Sequence, residues 1–265
     1  AQSNYQITGL VSGDSAAALT NTGAAYNNAH VASASNVTAS GIAIGSITGN
    51  HSSAASDYSL STSTLVWGSG GQSGTNANIS AAQITLTASG NISKIYDGTA
   101  NATVGSGNFT ISGLLSGDSL TLNNLSSALY NSANVASANN VAVSNLTLAS
   151  IVGNHSSVLS DYSLQTSSLT WGSGGQSNTY ASLTPRTVTL SDAQVYSGSA
   201  ALTNVSIGNL VGNQTLTYSN ATANSSGVAD NATNYITHIT LANGSNGGLA
   251  SNYQLPTLDH TNALV

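Results

Sequence analysis

"ALYNSANVASANNV", residues 128–141, is a near copy of "AAYNNAHVASASNV", residues 24–37, and this duplication decides how the rest of the chain is read. Outward from it, "TGNHSSAASDYSL" (48–60) returns as "VGNHSSVLSDYSL" (152–164), and "LVWGSGGQS" (65–73) returns as "LTWGSGGQS" (169–177). Every pair lies 104 residues apart, and self-similarity at one long period marks a tandem array. A third, diverged repeat starts at "TPRTVTLSDAQVYSG": its "VYSG" (195–198) echoes "IYDG" (95–98), and its "SNYQL" (251–255) echoes "SDYSL" (160–164). Divisions in or near the loops rich in Gly, Ser and Asn that follow "WGSGGQS" give repeats at 1–80, 81–182 and 183–265.

Composition sets the fold class. Of 265 residues only 4% are charged: eight Asp, Lys94 and Arg186, with no Glu, so a charged helix surface cannot be built. Ser, Thr, Asn and Gly take the polar positions, and Val, Ile, Leu and Tyr come in short alternating runs. In the second repeat "ITLTA", "ATVGSGNFTISG", "SLTLNNL", "NNVAVSNLTLASI" and "DYSLQTSSLTW" alternate with period two between turn residues. The expectation is an all-β chain, a tandem array of three small two-layer antiparallel domains, sandwich-like, the first lacking its N-terminal strand.

The same composition excludes partners. A net charge of −6 with two cationic side chains cannot track phosphates, so nucleic acid is not expected. No run of about 18 apolar residues occurs, so no membrane insertion is expected. Cysteine is absent, which removes disulfides and thiolate metal sites.

"KIYDGTANATV" (94–104), followed by "ISGLLSGDSLTL" (111–122) and closing near "SDYSL", resembles the YDG-type repeat of long secreted bacterial adhesins, the filamentous-haemagglutinin-like, glycine-rich β-repeat proteins. The turn Tyr96-Asp97-Gly98 carries the motif; the third repeat departs from it, with Ser197 in place of Asp97. The resemblance implies an extracellular, cell-surface, non-catalytic structural role.

The first repeat has no counterpart of residues 81–102, because Ser3 already aligns with Gly107. A β domain without its first strand exposes unpaired backbone groups beside a hydrophobic cleft. The expected acceptor edge is at Tyr5, Ile7 and Leu10. The stretch "PTLDHTNALV" (256–265) lies beyond the last "NYQL" signal, with Leu258, His260, Asn262 and Leu264 facing one way along an extended chain and Val265 the other. The expectation is that this tail completes the open repeat of another copy, head to tail, as a non-closing contact that propagates a filament. Residues 1–8 are the alternative donor.

"GLLSGDSL" (113–120) spells a block found in serine hydrolases, but its copy reads "GLVSGDSA" (9–16), and Asp259 and His260 adjoin one another rather than being spaced as triad partners. Gly-Asp-Ser is read as a turn rather than a nucleophile at Ser119. His51 and His155, each six residues before an Asp (Asp57, Asp161), lack further metal ligands. Asp14, Asp118, Asp57, Asp161 and Asp97 leave a structural calcium as the one cofactor conceivable; otherwise none is expected. Trp67 and Trp171, Tyr26 and Tyr130, and Tyr58 and Tyr162 recur in register and are read as core or inter-repeat packing. No acid–base pair recurs with a nucleophile, so no enzyme is expected; the alternative to a filament subunit or adhesin stalk is a module binding surface glycans or ice through Thr- and Asn-rich faces.

Overall fold

The computed structural model describes residues 4, 7–193, 197–227, 230 and 233–265. It is all-β: short strands joined by turns and single turns of 3₁₀ helix, with no helix long and apolar enough to cross a membrane among the described residues. The chain forms two compact units, the first made of Ala1–Gln83, Gly113–Leu120 and Ser150–Ser163, the second of Ile84–Ser112, Thr121–Ala149 and Leu164–Val265.

In the first unit Asn36–Ser40 lies between Gly23–Tyr26 and Leu65–Gly68, antiparallel to both, with Val37 opposite Tyr26 on one side and Trp67 on the other. Asp14–Thr20 pairs antiparallel with Ala43–Gly49, and bulges between Ala16 and Leu19 break its register. The second unit repeats the three-stranded sheet in the same register: Asn140–Val143 lies between Leu129–Tyr130 and Leu169–Gly172, with Val141 opposite Tyr130 and Trp171.

What the second repeat adds is the segment that the first one lacks. Along Ala82–Ala88 the residues Ile84, Leu86 and Ala88 are buried, in the period-two rhythm of a strand with one face on a core. This strand pairs antiparallel with Phe109–Ser112 over Thr85 to Ala88. The chain then turns at Ser89-Gly90, Gly90 taking the left-handed φ of +69° that suits glycine, and continues as Asn91–Ile95 in a different sheet. The element is therefore an arch between two layers rather than a hairpin. Its second strand runs parallel to Tyr180–Thr184, and in the third repeat Arg186–Thr187 runs parallel to Tyr253–Gln254. These two pairs depart from the antiparallel expectation, and long intervening chain is what permits parallel pairing. Tyr180–Thr184 also runs across the division between 182 and 183.

The third repeat buries Val188, Leu190, Leu202, Val205, Ala221, Ala223, Ile236, Ile239, Tyr253 and Ala263 in one cluster. Its C-terminal stretch is not a free tail. Ile236 N–H donates to Ala263 O at 2.8 Å, Val265 N–H to Asn234 O at 3.1 Å and Asp192 N–H to Leu264 O at 3.2 Å. Ala263 thus stands where Trp171 stands in the second repeat, and the stretch, a turn followed by a single antiparallel bridge from Leu264 to Tyr235, is built into its own domain. The facing expected from simple alternation is also corrected: Leu258 and Val265 pack on the core while Leu264 is half exposed. The physical reason is a turn that resets the alternation, in which Asp259 Oδ1 accepts from the backbone of Thr261 and Asn262 and from the Asn262 side chain. His260 is exposed.

Candidate functional site

One hydrogen-bonded joint recurs between successive repeats. It starts from an asparagine that shapes a loop. Asn131 Oδ1 accepts from the backbone of Asn139 and Asn140, and its Nδ2 donates to Ser137 O. Asn27 does the same with Ser35, Asn36 and Ser33. Each loop so shaped presents a donor to the following repeat. Val135 N–H donates to Asn252 Oδ1 at 2.8 Å, and Asn252 Nδ2 donates to Asn134 Oδ1 at 2.9 Å. One repeat earlier, Val31 N–H meets Asp161 Oδ1 at 2.8 Å, and His30 Nδ1 lies 2.7 Å from Asp161 Oδ2. Asn252 is fully buried and each of its bonds is satisfied from within the protein, so the joint is specified rather than adhesive in a general sense. Burial pushes the Asp161 carboxyl up, but hydrogen bonds from Val158 N–H, His30 and Val31 N–H outweigh it and hold the group below its ordinary range.

The Tyr96-Asp97-Gly98 turn is the second half of this joint. Tyr96 is buried in the cluster of the third repeat, its ring edge-on to Tyr253 with centroids 5.4 Å apart. Gln214 Nε2 donates to Tyr96 Oη at 2.8 Å, Tyr253 Oη donates to Gln214 Oε1 at 2.6 Å, and Val211 N–H donates to Tyr253 Oη at 3.0 Å. Asp97 shapes the turn: its Oδ1 accepts from Thr99 N–H and Oγ1, both at 2.9 Å, and it is paired with Lys94 Nζ at 2.8 Å. Burial raises the Asp97 carboxyl, and Lys94 and Thr99 together lower it by more. Gly98 has φ +80°, and a Cβ there would lie 2.8 Å from Val211 Cγ1.

A YDG domain occupies residues 80–169. No curated protein and no solved structure matches the chain. The YDG domain covers about a third of the chain; it includes the arch and its turn, and stops short of Trp171 and of the Tyr180–Thr184 strand. The motif that gives it its name therefore serves the neighbouring repeat as much as its own.

The other singled-out residues fall into place around this frame. Ser119 Oγ donates to Val152 O, so the hydroxyl is engaged with backbone. Asp118 has no exposed side-chain surface and accepts from Ser157 Oγ and Tyr162 Oη, both at 2.6 Å, with His155 Nδ1 3.3 Å away. Asp14 repeats this with Ser53, Tyr58 and His51. The serine hydroxyl, then the tyrosine hydroxyl, hold both carboxyls below their usual range against a smaller opposing effect of burial. The histidines thus partner the aspartate of the Gly-Asp-Ser turn rather than Asp57, and Asp161 is taken by the joint.

Two of the recurring aromatic pairs are buried differently in the two repeats. Trp171 is fully buried, with Nε1 donating to Ser89 O and Asn108 O, and Tyr130 is 4% exposed. In the first repeat Trp67 is half buried and Tyr26 is 45% exposed. The expected acceptor edge lies partly elsewhere. Tyr5 is outside the described residues; Ile7 and Leu10 are half buried and belong to no strand. The cleft of the first repeat is instead floored by Tyr26, Val37, Ala39 and Trp67 and rimmed by polar Asn4, Asn21, Thr75 and Asn76, with a volume of about 690 Å³. Its equivalence to the arch-covered face of the second repeat could have been read from the 104-residue register. The cross-repeat contacts of Asp161, Asn252 and Tyr96 could not, because a repeated letter marks an equivalent place and not a partner.

Proposed function

We propose that the protein is a non-enzymatic, extracellular structural protein of a bacterial surface: a stalk segment of an adhesin, or a filament subunit joined to copies of itself by β-strand donation. The observation that carries this reading is the joint, built twice with the same geometry from Val31, His30 and Asp161 and from Val135, Asn134 and Asn252. Joints that repeat in register transmit load along a chain, whereas a catalytic centre needs one converging set of groups. The nearly uncharged polar surface lets like chains pack without strong mutual repulsion.

Because the C-terminal stretch is built into its own repeat, a donor in this scheme is a segment other than residues 256–265. Negative-stain electron microscopy of the chain refolded from denaturant tests the filament branch: end-to-end particles are expected. Particles that remain single at every concentration reject donation between copies and leave the stalk. Ester hydrolysis that disappears in Ser119→Ala would overturn the non-catalytic reading altogether.

A further inference from the structure

The second repeat displays, filled, what the first repeat displays open. In the second unit the arch Ile84–Ile95 lies against the sheet that carries Trp171: Ser89 O accepts from the indole, Lys94 Nζ stands 5.8 Å from the centre of the Tyr130 ring, and Asn91–Ile95 pairs with Tyr180–Thr184. The arch then ends in the Tyr-Asp-Gly turn that sits on Val211, Gln214 and Tyr253. In the first unit the three-stranded sheet has the same register around Trp67, but among the described residues the cleft over it is open. Tyr26 Oη donates to Asn78 O at 3.2 Å as Tyr130 Oη donates to Ser182 O, which places residues 76–80 where Tyr180–Thr184 stands. Residues 76–80 belong to no strand.

The same unit also holds a vacant counterpart of the turn's seat. Leu115 N–H donates to Tyr162 Oη at 3.4 Å and Tyr162 Oη donates to Asp118, matching Val211, Tyr253 and Gln214 bond for bond. Yet Leu115 is 51% exposed, where Val211 is covered by Gly98.

We propose that cleft and seat together receive one segment of the Ile84–Gly98 type. Its Ile-x-Leu-x-Ala face closes over Trp67, its second strand pairs parallel with residues 76–80, and its Tyr-Asp-Gly end docks on Leu115 and Tyr162. The tyrosine ring meets Tyr162 there as Tyr96 meets Tyr253 in the third repeat. This rests on the reading that the first repeat is completed from outside itself, and it names the completing element as an arch with a Tyr-Asp-Gly end, not a single strand.

The test uses the full chain and a synthetic peptide of residues 81–99, followed by hydrogen exchange and tryptophan emission. Expected are slowed exchange of the amides of residues 76–80 and a blue shift from Trp67, since Trp171 is already buried. A peptide carrying Leu86→Asp and Ile92→Asp gives neither effect. One ending at Ile95 binds about tenfold more weakly for want of its aromatic anchor. A chain with residues 81–106 copied ahead of Ser3 fills its own cleft and no longer responds to the peptide. Unchanged exchange at 76–80 with the unaltered peptide overturns the proposal, as does an undiminished response of the fused chain. Both results are read on single particles, so they stand apart from whether filaments form.

Discussion

Gly98 shows how much a single position of the motif is asked to do. It combines a left-handed backbone with a contact too close for a Cβ unless the side chain shifts, because Val211 Cγ1 stands 2.8 Å from where one would be. Gly98→Ala should lower stability by about 1–2 kcal/mol from the backbone conformation alone, and more if Val211 cannot yield; urea denaturation measures it. Asp118 poses a different question, one of protonation. Hydrogen bonds from Ser157 and Tyr162 hold its folded carboxyl below the ordinary value, so its contribution is whole above the unfolded value of about 3.9 and is lost as pH falls through the lower folded one. Asp14 adds a second such group. Thermal melts should therefore show stability falling below about pH 4, and Asp118→Asn should make that acid loss shallower while lowering the midpoint at neutral pH. The neutral Gln214 at the equivalent place in the third repeat shows that an amide is tolerated there.

At the scale of elements, the sequence made the strands legible where one face is buried. Ile84, Leu86 and Ala88 alternate with polar neighbours, and the recurrence of Tyr26 and Trp67 as Tyr130 and Trp171 marks packing positions that the structure puts on one three-stranded sheet in each repeat. The C-terminal stretch is less legible because its landmark is gone. From Tyr162 to Trp171 is nine residues, and the corresponding step from Tyr253 arrives near Ala263, a residue with no aromatic signal to announce it. What buries Ala263 is the surrounding cluster and the backbone bonds of Ile236 and Val265, neither visible as a pattern along the chain. Truncation after Leu255 should therefore cost at least about 2–5 kcal/mol, the scale of emptying one large aliphatic site, by removing Leu258, Ala263 and Val265 together. Circular dichroism against denaturant would register it as loss of structure in the third repeat. A truncated chain as stable as the whole would mean that the tail is dispensable to its own domain.

For the whole molecule, the cleft that stands open over the first repeat among the described residues is the feature that governs behaviour. The sheet around Trp67 has an open cleft where the sheet around Trp171 has the arch, so the two report on packing of unequal quality in otherwise matched surroundings. Apolar area left in contact with water forgoes a stabilisation of roughly 25 cal/mol for each Å² not buried. A chain of repeats with such unequal cores has no reason to unfold in one step. Emission from Trp67, isolated in Trp171→Phe, should change at lower urea than emission from Trp171, isolated in Trp67→Phe. Far-ultraviolet dichroism of the unaltered chain should then span both transitions. Filling the cleft by copying residues 81–106 ahead of Ser3 should move the Trp67 transition up towards the other and leave the Trp171 transition in place. Coincident transitions in the unaltered chain would show that the second repeat and its joint at His30, Val31 and Asp161 already hold the first repeat as firmly as an arch of its own would.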